Sequence, residues 1–215
     1  MNERRDGPNL PAFRVLDHEM IIVDTEYTTW PGALESGWAE PWQHREIVQM
    51  AAIRVDDRYR ETEAFDQLVI PTINSRLSPL FISLTGIEQE RVDSEGVSFS
   101  EALNDFLNFV DGHPVICMNG DEAVMRENCQ LNGIDFPFNN SWHRLRPYLE
   151  LIGVDVQNLS SGDLHNLTPR PLIGHTHNAL HDVRSMARWL EHADILVDVL
   201  PTGAPTFDPR SFRQD

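Results

Sequence analysis

A chain of 215 residues, 40% hydrophobic and 24% charged, can bury one good core and has the balance of a soluble globular domain. Its net charge of −17, from 17 basic and 34 acidic side chains, excludes nucleic-acid binding by broad phosphate neutralisation. Only local binding near an active site, where a metal ion can bridge acidic groups to phosphate, is compatible with that balance.

No stretch approaches membrane-span length and the start lacks a secretory apolar segment, so a cytoplasmic chain with no membrane partner is expected. Cys117 and Cys129 match no zinc-binding spacing. Residues 1–13 read as a flexible segment, 14–200 as one domain and 201–215 as a flexible tail suited to a partner contact. The first strand spans about 19–24, an apolar run buried on both faces. Thr29 to Trp42 carries Gly, Pro and three tryptophans and reads as an ordered loop. Two roles stay open for the Trp30–Trp42 stretch: a satellite core or contact with a second copy or a protein partner, and a stacking platform for bases.

Strands over 46–55 and 59–70, joined at Asp56-Asp57, complete an antiparallel meander. Beyond Leu80–Ile87 a polar segment runs to Gly96. Ser98 and Glu101 then form a capping-box pair for an amphipathic helix over 99–110. Pro114 to Met118 is a short buried strand, and 122–132 a helix stopped by Gly133. Trp142 to Leu151 reads as a short strand or a helix, and 153–174 as turn-rich. The last helix, 179–192, aligns Val183, Met186, Ala187 and Leu190 on one face.

Chemistry enters through the acids. Met20-Ile-Ile-Val runs straight into Asp24-Thr-Glu26, and on a strand residues two apart share a side. Two carboxylates that close repel each other unless a cation or a shared proton compensates. Asp121 follows the fourth strand, and Asp182 lies one turn into the last helix, five residues after His177. Four such carboxylates suit two Mg²⁺ or Mn²⁺ ions, which prefer oxygen ligands and leave room for water and phosphate. His177, with an ordinary pKa of about 6.5, suits a general base that takes a proton from attacking water. Singly, each has a structural reading: a turn residue, a helix cap, or one of several loop histidines with His165, His175 and His181. Their joint order raises the functional one.

The pattern resembles the DEDDh group of 3′–5′ exonucleases. Asp24-Thr-Glu26-Tyr-Thr28 is similar to its first motif, and Leu84-Thr-Gly-Ile87 to its spacer. Asp121 stands for the second motif, and His177-Asn-Ala-Leu-His-Asp182 for the third. The resemblance covers roughly 19–193. It implies an α/β, ribonuclease H-like mixed five-stranded sheet, with three antiparallel strands extended by parallel ones and flanked by helices. It also implies Asp24, Glu26, Asp121 and Asp182 on two divalent ions, with Glu26 and His177 catalytic. Tyr27, Thr28, Leu84 and Thr85 would lie against the 3′ end of single-stranded DNA or RNA. The second motif departs from the family: it reads Met118-Asn-Gly-Asp-Glu122, less apolar than usual, with Glu122 as a further contributor. An RNA-trimming or oligonucleotide-degrading enzyme, a proofreading subunit and a non-catalytic interaction module are the alternatives.

Overall fold

The computed structural model describes residues 19–151 and 153–193; the segments expected to be flexible, 1–13 and 201–215, lie outside them. Strand β1 spans Met20–Tyr27 and so carries both acids within it, ending three residues beyond the strand expected over 19–24. Its partner β2, Ile47–Val55, explains the extension: antiparallel pairing holds from Met20 opposite Val55 to Tyr27 opposite Ile47, with an irregularity between Glu26 and Tyr27. β3, Glu61–Leu68, is shorter than expected because the Asp56 carboxylate accepts the amides of Arg58 and Arg60 and closes a turn. β4, Val115–Cys117, lies parallel to β1, and β5, Trp142–Arg144, lies parallel to β4. The sheet order is β3-β2-β1-β4-β5, the mixed five-stranded sheet expected from the resemblance.

A single helical turn, α1 (Ala33–Ser36), interrupts the tryptophan-rich segment between Gly32 and Gly37, both left-handed. α2 (Pro79–Thr85) starts at Ser78, whose hydroxyl accepts the Phe81 amide. The polar segment before Gly96 is itself helical: α3 (Gln89–Glu95) carries an Arg91–Glu95 pair one turn apart. α4 (Phe99–Val110) begins at the Ser98 cap as its sequence predicts. α5 (Asp121–Leu131) is followed by α6 (Leu145–Leu151), so 142–151 is a strand and then a helix. A 3-10 helix, Ser161–Leu167, precedes α7 (Ala179–His192).

β1 is buried on both faces, and its two faces meet different partners. Ile21 and Val23 pack with α4 and α5, against Phe99, Leu103, Phe106, Val124 and Met125. Met20 and Ile22 pack with α6 and α7, against Leu149, Val183, Met186 and Leu190. Each large side chain so buried contributes about 1.5–3 kcal/mol. Strand alternation therefore sends Asp24 and Glu26 toward α7, and Thr25 and Tyr27 toward α5. Both thiols, Cys117 and Cys129, are buried and free.

Candidate active site

The end of β1, the start of α5 and the start of α7 converge on one cluster. Asp121 is the first residue of α5, with Gly120 at the cap position. Its carboxylate accepts both the Thr25 amide, at 3.0 Å, and the Thr25 hydroxyl, at 2.8 Å. Thr25, on the opposite face of β1 from its neighbouring acids, thus ties the second motif to the first. Across the cluster, ligand atoms of Glu26, His177 and Asp182 lie within 4.8 Å of one another. Asp24 and Asp121 join this group electrostatically: on top of burial, Asp121, Asp182 and Glu26 raise the Asp24 carboxyl, and Asp121 raises those of Glu26 and Asp182.

Several local devices hold α7 in place. The Asn178 side chain accepts the His181 amide and caps the helix. Gln49 on β2, wholly buried, donates to Asp66 on β3 and accepts the Ala179 amide, pinning the helix start to the sheet. The Asp182 carboxylate accepts the Ser161 hydroxyl at 3.1 Å and the His177 amide at 3.3 Å. Gly162 lies so close that a Cβ there would sit 2.4 Å from Asp182 Oδ1 and 2.8 Å from Thr176. His177 has φ of 68°, a left-handed conformation that costs a non-glycine residue about 1–2 kcal/mol. Such strain concentrates at functional sites. Thr25, Gln49, Ser161 and Gly162 carry no sequence signal of their own, because only the tertiary approach of distant segments gives them a partner.

The electrostatics are those of crowded, buried acids. Burial, then Asp121, Asp182 and Glu26, hold the Asp24 carboxyl well above the carboxylate range. Glu26 is raised well above it by burial and by Asp182 and Asp121. Burial raises Asp121 against the opposing hydrogen bonds of Thr25 and the nearby Arg45. Asp182 is pushed up to about 7, by burial first, while its bonds to Ser161 and His177 oppose the shift. Burial lowers His177, against the Asp163 carboxylate, so its imidazole is neutral at neutral pH.

These residues fit a divalent cation. Asp182 Oδ1 is buried with no hydrogen-bond partner, and four mutually repelling carboxylates have too few neutralising donors. Oxygen donors with one imidazole at hand match hard ions such as Mg²⁺ and Mn²⁺.

The residues expected to contact substrate, Tyr27, Thr28, Leu84 and Thr85, differ in their surroundings. Thr28 is buried, and its hydroxyl donates to the His44 carbonyl while accepting the Glu46 amide. Thr85 is buried too, donating to the Phe81 carbonyl and accepting the Ile87 amide. Both hydroxyls thus serve the fold, one tying the end of β1 to the loop before β2 and the other closing α2. Leu84 beside Thr85 is exposed. Tyr27 is half-buried, edge-on to Trp38, with the Arg45 guanidinium 5.8 Å from its ring centre. Its hydroxyl is raised to about 12, chiefly by burial, so it stays protonated. Glu122 pairs with Arg126 one turn along α5.

The tryptophan-rich segment is stapled to the protein. Trp38 Nε1 donates to the Thr28 carbonyl, and Ser78 donates to the Thr29 carbonyl. The buried Glu46 carboxylate accepts the amides of Thr72, Ile73 and Asn74. Trp30 and Trp42 meet edge to face at 4.9 Å, with Trp42 half exposed. Among the described residues no helix is long and apolar enough to cross a membrane.

Residues 15–190 match the model of the exonuclease family RNase_T. The chain is 37% identical over 76 residues to the 3′-5′ exonuclease Snipper of Drosophila melanogaster, a match spanning 35% of this chain and 26% of that protein's length. The nuclease domain of 3′hExo, a DEDDh family member bound to rAMP, superposes with a TM-score of 0.71 at 22% identity, over 83% of this chain and 94% of that one. Exonuclease I of E. coli in complex with a dA16 oligonucleotide superposes at 0.58 with 18% identity, over 81% of this chain and 40% of that one. The family match over most of the chain shows that the chain belongs to the RNase_T exonucleases, and its mixed sheet has the fold of the DEDDh nuclease domain of 3′hExo.

Proposed function

We propose that this chain hydrolyses single-stranded DNA or RNA one nucleotide at a time from the 3′ end, releasing nucleoside 5′-monophosphates. The observation that carries this reading is the convergence of Asp24, Glu26, Asp121 and Asp182 with a neutral, half-buried His177 at one end of β1. The four carboxylates would hold two divalent ions, Mg²⁺ or Mn²⁺. When bound, such a pair stabilises the charge on the attacking and leaving oxygens of a phosphodiester displacement.

The chain's own groups do the rest. His177 would accept the proton of the attacking water, and its lowered pKa supports this role by keeping it free of a proton when the reaction needs a base. The Asp182 bonds to Ser161 and to the His177 amide fix the carboxylate relative to that base. Thr25 holds Asp121 from the far side of the strand. Tyr27 and the exposed Leu84 remain the candidates for contact with the terminal base, which must be unpaired to stack.

The relatives whose structures hold rAMP and dA16 support assaying both RNA and DNA. The deciding experiment is digestion of labelled single-stranded DNA and RNA, with free and blocked 3′ ends, with Mg²⁺ or Mn²⁺ and after chelation. Stepwise release of 5′-monophosphates, only from free 3′ ends and only with metal, is expected. Cleavage from the 5′ end, or undiminished cleavage after chelation, rejects the reading.

A further inference from the structure

The chemistry above gives the tryptophan-rich segment no part, yet one of its residues is fixed beside the site. Trp38 has φ of 55°, a left-handed conformation that is costly for a non-glycine residue and persists only where its surroundings impose it. Three contacts do so. Its amide donates to the Ala33 carbonyl at 2.8 Å, and its indole Nε1 donates to the Thr28 carbonyl at 3.1 Å. Its ring meets Tyr27 edge-on, with centres 5.5 Å apart. The Arg45 guanidinium lies over both rings, 5.6 Å from the centre of Trp38 and 5.8 Å from that of Tyr27. Both spacings are within the reach of cation–π attraction.

From these rings Arg45 reaches α5. Its Nε donates to Glu127 Oε2 at 2.9 Å and its Nη2 donates to Oε1, a two-pronged grip on one carboxylate. The Arg45 side chain is only 25% exposed, so water screens the pair less than it would an open surface pair. The backbone closes the clamp: Asn128 Nδ2 donates to the Arg45 carbonyl at 2.7 Å, and Asn128 Oδ1 accepts the Ile47 amide at 3.0 Å. Asn128 stands about two turns after Asp121 on the same face of α5. Thr25 holds the first residue of this helix, and residues 45–47 hold its middle. One attachment leaves a helix free to swing; two fix its direction.

Resting on the exonuclease reading above, we propose that Arg45 is a positioning residue for Asp121, and that the tryptophan-rich segment acts on the divalent-ion site through it. Trp38 and Tyr27 fix the guanidinium, the guanidinium and Asn128 fix α5, and α5 delivers Asp121 to Thr25. The role needs arginine, because the fork to Glu127 and the packing over two rings both use a planar guanidinium. Burial raises the Asp121 carboxyl, and the same guanidinium is among the groups that oppose the rise.

The test titrates Mn²⁺ calorimetrically into metal-free protein without substrate, alongside nucleotide release from a single-stranded oligonucleotide. Arg45→Ala and Trp38→Leu are each expected to weaken Mn²⁺ binding about tenfold, the scale for residues that orient a metal ligand from behind. The double variant is expected to bind no more weakly than Arg45→Ala alone, because both act along one path; two unrelated structural losses would add. Arg45→Lys keeps the charge but loses the fork, and is expected to match Arg45→Ala. Glu127→Gln breaks the same fork from a side chain 41% exposed, leaves the core untouched, and is expected to weaken binding in the same direction, deciding the matter if Arg45→Ala fails to fold. Arg91→Ala, in an exposed pair on α3, is the control and should bind as wild type does. Unchanged Mn²⁺ affinity in the Arg45 and Glu127 variants, additive losses in the double variant, or full affinity in Arg45→Lys would each overturn the proposal. A wild type that releases no nucleotide overturns the exonuclease reading, whereas an active wild type with unchanged variant affinities overturns the positioning role alone.

Discussion

The two faces of β1 carry the same kind of apolar residues for half its length and then diverge. Toward α7 the strand ends in Asp24 and Glu26, which join Asp182 and His177 in a cluster whose carboxyls are all pushed upward. Toward α5 it ends in Thr25 and Tyr27, whose partners are the Asp121 carboxylate, Trp38 and Arg45. One face gathers charge that the fold leaves unneutralised. The other satisfies every group it presents and fixes where that charge stands. Chemistry needs both, because ligands to an ion work only if their positions are set before it arrives.

Replacing Asp24 by Asn attacks the charged face directly and should have the largest effect. Nucleotide release is expected to fall at least about a thousandfold, the scale of losing a main electrostatic stabiliser. The same variant should melt higher than wild type when both are free of metal at pH 7. The sign follows from the raised carboxyl: between its ordinary pKa and the raised one, the folded state binds more protons than the unfolded. Metal-free stability therefore falls as pH rises through that window, which for Asp182 ends at about 7. Scanning calorimetry of metal-free protein from pH 4 to pH 7 checks this; a variant less stable than wild type across the range would mean the acids are already compensated within the protein.

His177→Ala is expected to cost about 10²–10⁴ in rate, the ordinary worth of a general base. Because burial lowers the imidazole pKa, wild-type activity should fall only as pH drops below the ordinary histidine value, and the variant should lose that limb. His175→Ala, on the same loop but exposed, should keep both the rate and the limb. A pH–rate profile unchanged in the His177 variant removes it from the mechanism.

Thr25→Val tests the other face and should be the mildest. It removes one hydrogen bond to Asp121 while leaving the Thr25 amide in place, so activity should drop about ten- to a hundredfold and more divalent ion should be needed for half-maximal rate. If this variant is as inactive as Asp24→Asn, the two faces do not divide the work as described.

Much of this was legible in the chain. The apolar run of β1, the capped helix α4 and the periodic face of α7 follow from local patterning, which depends on neighbours three or four residues away. Asp24, Glu26, His177 and Asp182 stood out because residue type and spacing were unusual together. Other features were not legible. That the hydroxyls of Thr28 and Thr85 bond to His44, Glu46, Phe81 and Ile87 has no signal in the local sequence. The helix α3 hid in a segment too polar to show a strong period.

The amino-acid order by itself determined the sheet's meander, the central buried strand and the identity of the acids, because strand and helix periods and turn residues act over short distances. Tertiary structure alone decided which face each acid serves and what holds it. Thr25 finds Asp121 across 96 residues, and Gln49 finds Ala179 across 130. Gly162 leaves room for Asp182 only because the 3-10 helix folds against the first turn of α7. Such partnerships arise from packing distant segments together, and a hydrogen bond between them leaves no periodic trace in the sequence.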